Sequence, residues 1–309
     1  MTSYHRVICG VPLLKKTGPH RFLSKSLQGG HIDTVLSVER DVIAMAKQPW
    51  TNEKLNKWLR EGRGQGTEKS YIPWVKISDF PSIGRATRIF GVKVPRIYHL
   101  QSDGQLRCFL IFEWCDAVVD IRESFPMLNI LETIDDKDDL RLDKFRDKET
   151  GVPLVLTTSF LLTVRDDSGK ERLLARSVKN ASELKRSTTI ENLEIQRRYW
   201  RAKGVEWKII TDKQIPKQFA KNIAWVRETL LDDGMDANQK AEQAQLLHDD
   251  LMRHSDLKLN DVLNAFDHRE GVSQGRGLYL FRYLIAKKLI RIDMNQSVQV
   301  ARKVKDILQ

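Results

Sequence analysis

The sequence lacks any apolar run near the ~18 residues that a bilayer-spanning helix needs, and its first residues show no apolar core followed by a small-residue cleavage site. Both absences speak against a membrane partner and a secreted precursor, so a cytoplasmic protein is expected. Cysteine is scarce. Cys9, Cys108 and Cys115 form an odd set with no CxxC pair and no His at metal-ligand spacing, which excludes a disulfide framework and a zinc site and leaves ordinary reduced thiols. Internal repeats and low-complexity tracts are also missing, which removes solenoid and disordered classes.

What the chain has is charge and enough length for two packed domains. Among 309 residues, 52 Lys and Arg stand against 41 Asp and Glu, a formal net charge of +11. An excess of that sign favours an anionic partner, and nucleic acid fits better than a membrane surface because no basic amphipathic anchor is evident. It says nothing about chemistry.

Residues 1–44 carry Cys9-Gly10-Val11-Pro12, Gly18-Pro19 and Gly29-Gly30, which break any sustained period, so they read as a weakly structured extension with one short helix over 32–44. Thr51-Asn52-Glu53 opens a basic helix over 54–59. Gly62-Arg63-Gly64-Gln65-Gly66 follows as a glycine-rich arm, either a flexible connector or a backbone that approaches phosphate. Short edge strands are expected over 71–75 and 88–92. Ser102 with Gln105 three residues later makes a capping box, and Leu106, Phe109, Leu110 and Trp114 continue at helical spacing, which predicts a helix over 103–114. A strand over 117–121, a solvated acidic loop at 135–139, and a hairpin of strands 153–164 and 172–178 come next. A helix over 188–203, closed by Gly204, and a strand over 206–211 complete a mixed α/β core. After Pro216 helices are expected over 217–231, 238–254, 257–267 and 275–287, with a short strand over 289–292, a set that fits a winged-helix-like unit. The organisation expected is an extension (1–44), an α/β domain (45–215) and a helical domain (216–309).

A metal-dependent nuclease built on such a core needs a carboxylate on its first helix, an Asp on a hairpin strand and a Glu/Gln-x-Lys set on the next strand. The carboxylates hold Mg²⁺, which activates water and offsets charge on the phosphate, and the Lys stabilises the attacking or leaving oxygen. Several ordered blocks of this sequence resemble the TnsA family of transposase endonuclease subunits. They are Glu61-Gly62-Arg63-Gly64-Gln65-Gly66, Tyr71-Ile72-Pro73-Trp74, Ser82 with Gly84-Arg85, Ser102-Asp103, Phe109-Leu110 and Glu113-Trp114. Val119-Asp120-Ile121-Arg122-Glu123, Phe125-Pro126, Glu194 with Arg197-Arg198-Tyr199-Trp200, Thr211-Asp212-Lys213, Asn222-Ile223 and Trp225 continue the series from about residue 45 to 225. The resemblance implies a restriction-endonuclease-like core, Mg²⁺, cleavage of the 5′ strands at transposon-end DNA, a TnsB-like transposase and a TnsC-like ATPase regulator as partners, and a bacterial, nucleoid-associated setting.

At the positions where that family carries its catalytic residues this chain departs. Gln105 stands where a helical Glu is expected, Ser159 replaces the Asp of a Thr-Asp-Phe motif, and Ser177-Val178-Lys179-Asn180 replaces a Gln/Glu-x-Lys-Pro run, so Lys179 alone is retained. Neutral oxygens do not offset the dehydration of a hard divalent cation as carboxylates do, so a catalytically impaired or silent subunit is expected. Three other readings stay open: a shifted metal site built from Glu113, Asp116 and Asp120, a DNA-binding regulator built on the C-terminal unit alone, and Gln105 as a plain capping residue. Arg63, Arg85, Arg88 and Lys93, with Arg276 and Arg282 on the candidate recognition helix, are the DNA-binding candidates. Met45-Ala46-Lys47 looks like a complete N-terminus for this family, so a start assigned too far upstream is expected, with a genuine targeting or partner-binding extension as the other reading.

Overall fold

A computed structural model of the chain describes residues 49–79, 85–231 and 233–309. The extension over 1–44 and the motif residues Ser82 and Gly84 lie outside the described residues. Helix α1 (Asn52–Arg60) starts where Thr51 Oγ1 accepts the N–H of Lys54 at 3.2 Å, an N-cap that satisfies one of the orphan donors of the first turn. Its Trp58 packs edge-on against Trp50 and Trp74, with ring centroids 4.9 and 5.3 Å away, in a small separate core.

The glycine arm is docked, not a loose connector. Gly64 takes φ +74° and donates its N–H to Ile72 O at 2.7 Å, and a Cβ at that position would sit 2.2 Å from Pro126 Cγ. Only glycine tolerates both that dihedral and that approach. The strand expected over 71–75 reduces to one bridge, Arg63↔Ile72.

The main sheet has four strands in the order β3 (Val118–Pro126), β4 (Thr157–Arg165), β5 (Glu171–Lys179), β6 (Glu206–Thr211). The first three run antiparallel and β6 runs parallel to β5. Helix α2 (Asp103–Trp114) covers one face, where Phe112 meets Phe160 at 5.4 Å. Helix α4 (Ser187–Ala202) covers the other, with Ile195, Tyr199 and Trp200 buried over Leu161 and Ala175. A short helix α3 (Ile130–Thr133) leads towards α4. This two-sided burial explains the unbroken apolar stretch Phe160-Leu161-Leu162 in β4.

Two elements exceed the sequence expectation. β3 runs five residues beyond the predicted strand, because Asp120, Arg122 and Glu123 are buried in ion pairs rather than surface-exposed. A second antiparallel pair, β1 (Thr87–Phe90) with β2 (Ile97–Leu100), lies ahead of α2, with Tyr98 and Leu100 in the core. The acidic run at 135–139 is likewise not a free loop. Arg198 on α4 holds Asp139 through two hydrogen bonds of 2.6 and 2.7 Å, and this keeps the Asp139 carboxyl below its ordinary range.

Beyond β6 come α5 (Lys217–Arg227), a 3₁₀ turn (Glu228–Leu230), α6 (Ala237–Arg253), α7 (Leu259–Arg269) and α8 (Arg276–Ala286). The expected strand over 289–292 reduces to a single bridge, Ile292↔Leu308. Helix α8 sits among α5, α6 and α7, and α5 packs on α2. One apolar core therefore runs from Phe109 and Phe160 through Phe219 and Val226 to Phe266 and Phe281. Asn222 fastens the far end of this unit by donating to Met294 O and Gln296 O at 2.9 and 2.7 Å.

Candidate functional site

The candidate site lies where the first turn of α2 meets the N-terminal end of β4 and the C-terminal end of β5. Gly104 lies close against β5: a Cβ there would stand 3.3 Å from Val178 Cγ1. The β4–β5 ladder ends at Phe160↔Arg176. Past that point Ser159 Oγ accepts the N–H of Val178 at 2.9 Å, so a side chain takes the place of the strand backbone. Thr158 and Phe160 turn to opposite faces, towards Trp200 and Phe112 respectively, although residues two apart in a straight strand share a face. The chain twists at Ser159. Ser159 thus bonds to Val178, Gln105 follows Gly104 on the facing helix turn, and Lys179 follows Val178 in β5 on the strand face shared with Ser177.

Each substituted position is occupied by a local bond. Gln105 Oε1 accepts the N–H of Gln101 at 2.8 Å, while its own N–H donates to Ser102 Oγ at 3.2 Å. Ser177 is 1% exposed and donates to Gln196 Oε1 at 2.5 Å while accepting Trp207 Nε1 at 2.9 Å. Gln196 Oε1 also accepts Thr158 Oγ1 at 3.1 Å, and Thr158 accepts Trp200 Nε1 at 2.7 Å. Ser177 therefore belongs to a closed polar network between β4, β5, β6 and α4. Lys179 is half-buried at the end of β5, and among the described residues its ammonium has no ion-pair partner. Sequence reasoning missed Gln196 and Trp207, and nothing in their local patterns marks them as partners of position 177.

The three carboxylates of the shifted-site reading have separate structural duties. Glu113, with its side chain 7% exposed, accepts Val92 N at 2.6 Å and Arg227 Nε at 3.0 Å. Asp116 is exposed and pairs with Lys288. Asp120 accepts Glu68 N at 3.2 Å and faces Arg122 Nε at 3.3 Å. Among the described residues no group of three His, Cys, Asp or Glu side chains is placed to hold a metal ion. The shifted-site expectation fails on this geometry.

Four of the six basic candidates also turn inward. Arg63 is 6% exposed, lies 4.0 Å from the Trp58 ring and binds Asp79 through two bonds of 2.6 and 3.2 Å. Lys93 Nζ donates to Cys115 O and Val118 O, and burial lowers its pKa. Arg276 donates to Gln243 Oε1 at 3.1 Å and contacts Met235 Sδ. Arg282 donates to Trp225 O and to Glu228, the latter at 2.7 Å. These four groups thus spend donors on hydrogen bonds within the fold. Arg85 and Arg88 remain exposed. Arg85 has only a loose approach to Asp103, 3.9 Å, at the start of α2.

The order of a mixed sheet sandwiched by helices, with a lysine and three polar positions at one sheet end, defines an α/β core of the restriction-endonuclease class. Comparison with known proteins then specifies it. Residues 115–212 match the family model "TnsA-like endonuclease N terminal" and residues 214–294 match "TnsA endonuclease C terminal". The chain is 33% identical to the Transposon Tn7 transposition protein TnsA of Escherichia coli over 267 residues, 86% of this chain and 94% of that relative. The chain belongs to the TnsA family of transposon endonuclease subunits.

A divalent metal implied by that family does not fit the groups present. The three positions offer two hydroxyls and one amide oxygen, all neutral and all already bonded within the protein, and a cation bound through oxygen relies on carboxylates. No helix among the described residues is long and apolar enough to cross a membrane.

Proposed function

We propose that this chain is a TnsA-type subunit of a heteromeric DNA transposase that does not cut DNA by the metal-dependent route and acts in complex assembly and DNA binding. One observation carries the reading: Gln105, Ser159 and Ser177 are neutral, and each is engaged in a hydrogen bond within the fold, so no carboxylate stands at these positions to hold a divalent cation. Lys179 is left to attract phosphate without a metal-activated water beside it. Transposon-end DNA, a TnsB-like transposase that cuts and joins the 3′ ends, and a TnsC-like ATPase regulator are the partners of this reading, in the bacterial cytoplasm. With the 5′ strands uncut, transposition gives cointegrate-type products unless an active paralogue supplies that cut.

Strand-specific cleavage tests it. Purified chain with its transposase partner, transposon-end DNA and Mg²⁺ or Mn²⁺ leaves the 5′ strand intact, and efficient 5′ nicking refutes the reading. The triple variant Gln105→Glu, Ser159→Asp, Ser177→Gln then asks whether the scaffold still accepts the chemistry. Ser177→Gln places a longer side chain in a position now 1% exposed, so recovery requires Gln196 and Trp207 to yield.

A further inference from the structure

The ribbon formed by β1 and β2 has two unlike faces. Ile89, Tyr98 and Leu100 pack inward on the core, as the alternation of a strand requires. The outward face presents two opposed pairs, Arg88↔His99 and Phe90↔Ile97. Phe90 is 50% and Ile97 55% exposed, a cross-strand apolar pair open to solvent. Arg88 is exposed beside it, and Arg85, with its side chain 78% exposed, stands just ahead of the ribbon. His99, opposite Arg88, has Lys76 and Arg96 near it as well as Asp79. The backbone is firmly placed: Arg227 donates to Phe90 O at 2.7 Å, and β2 runs straight into the capping turn of α2.

We infer that the outer face of this ribbon is a DNA-contacting surface, in which Arg85 and Arg88 bind backbone phosphates and the Phe90–Ile97 pair presses on exposed base or sugar surface. The inference rests on the DNA-binding part of the proposed function and locates it. A two-stranded ribbon fits a DNA groove, and apolar side chains flanked by arginines are a combination that contacts both bases and phosphates. A protein partner would favour the apolar pair alone, whereas two exposed arginines beside it, of which Arg85 makes only a loose 3.9 Å approach to Asp103, favour a polyanion. The same ribbon leads directly to Gln105, so DNA held on it runs towards the candidate site.

Fluorescence anisotropy with a labelled double-stranded oligonucleotide, titrated with the full chain over a series of salt concentrations, tests the assignment. The double variant R85A/R88A is expected to bind about tenfold more weakly and to lower the slope of log affinity against log salt by about 2, one for each phosphate contact removed. The double variant F90A/I97A is expected to bind about fivefold more weakly with an unchanged salt slope. All four side chains are exposed, so unfolding temperatures should stay near that of the parent chain. Parent binding with both variants binding equally well overturns the ribbon assignment and turns its apolar pair towards a protein partner. A parent chain that binds no duplex overturns the DNA-binding reading itself.

Discussion

The two ends of helix α2 differ in a way that explains the molecule. At its C-terminal end Glu113 is a buried carboxylate whose oxygens meet Arg227 and the N–H groups of Val92 and Lys93. At its N-terminal end, where the family places a carboxylate, stands neutral Gln105, which closes the capping turn. The buried charge of Glu113 is answered by a fixed positive group, whereas Gln105 carries no charge to be answered. Charge here serves the joint between sheet and helices, and the would-be reaction centre is held by uncharged hydrogen bonds.

The strongest test of this contrast removes the charged end. Glu113→Ala strands Arg227, whose side chain is 8% exposed, and is expected to lose about 3–5 kcal/mol in urea unfolding. A loss below about 1 kcal/mol would mean that the pair does not hold the joint. Next in size, Ser177→Ala leaves Trp207 Nε1 without its acceptor and removes one donor to Gln196, so about 1–3 kcal/mol should go from the same measurement. An unchanged midpoint would show that the network is dispensable and that position 177 is free for restoration. Gln105→Glu should instead add about 0.3–1 kcal/mol, because a negative charge in the first turn opposes the positive end of the helix dipole. Destabilisation by that variant would mean that the N-terminal end rejects charge as well as lacking it.

The smallest effect is in pH. Burial, then Arg88 and Lys76, hold His99 below its ordinary value, and His99 Nδ1 accepts the N–H of Ile77 at 3.2 Å. The unfolded chain then takes up a proton that the folded chain refuses, so the contribution is complete above about pH 6.5 and falls as pH drops towards the lowered folded value. Carboxylates such as Glu194, held down to about 2 chiefly by Arg197, begin to lose their contribution only below about pH 4.5. His99→Gln should therefore flatten stability against pH just below neutrality and leave the acid limb alone. An unaltered slope in that window would refute the assignment.

The sequence was legible where local chemistry and burial agree. Ser102 and Gln105 announce the start of α2, and the observed Asp103–Trp114 coincides with the expected span. Glu206–Thr211 coincides as well, between Gly204 and the turn at Asp212. Where charged residues are buried in pairs, the same reading fails. Asp120, Arg122 and Glu123 look like the end of a strand and are its middle, and Arg63 and Lys93 look like phosphate ligands and are internal ties. The substituted site was readable as a set of residue types. Its closure through Gln196 and Trp207 was not, because those contacts join residues 19 and 30 positions away from Ser177.

The shared core has a consequence for how this gene can be divided. Ile215, at the seam between the two family matches, is 5% exposed and lies beneath Gly104, while Phe219, Ala220, Ile223 and Val226 bury the side of α5 that meets α2. A fragment beginning at residue 217 would carry that side uncovered into water. Separately expressed halves should be insoluble alone and recover solubility when made together.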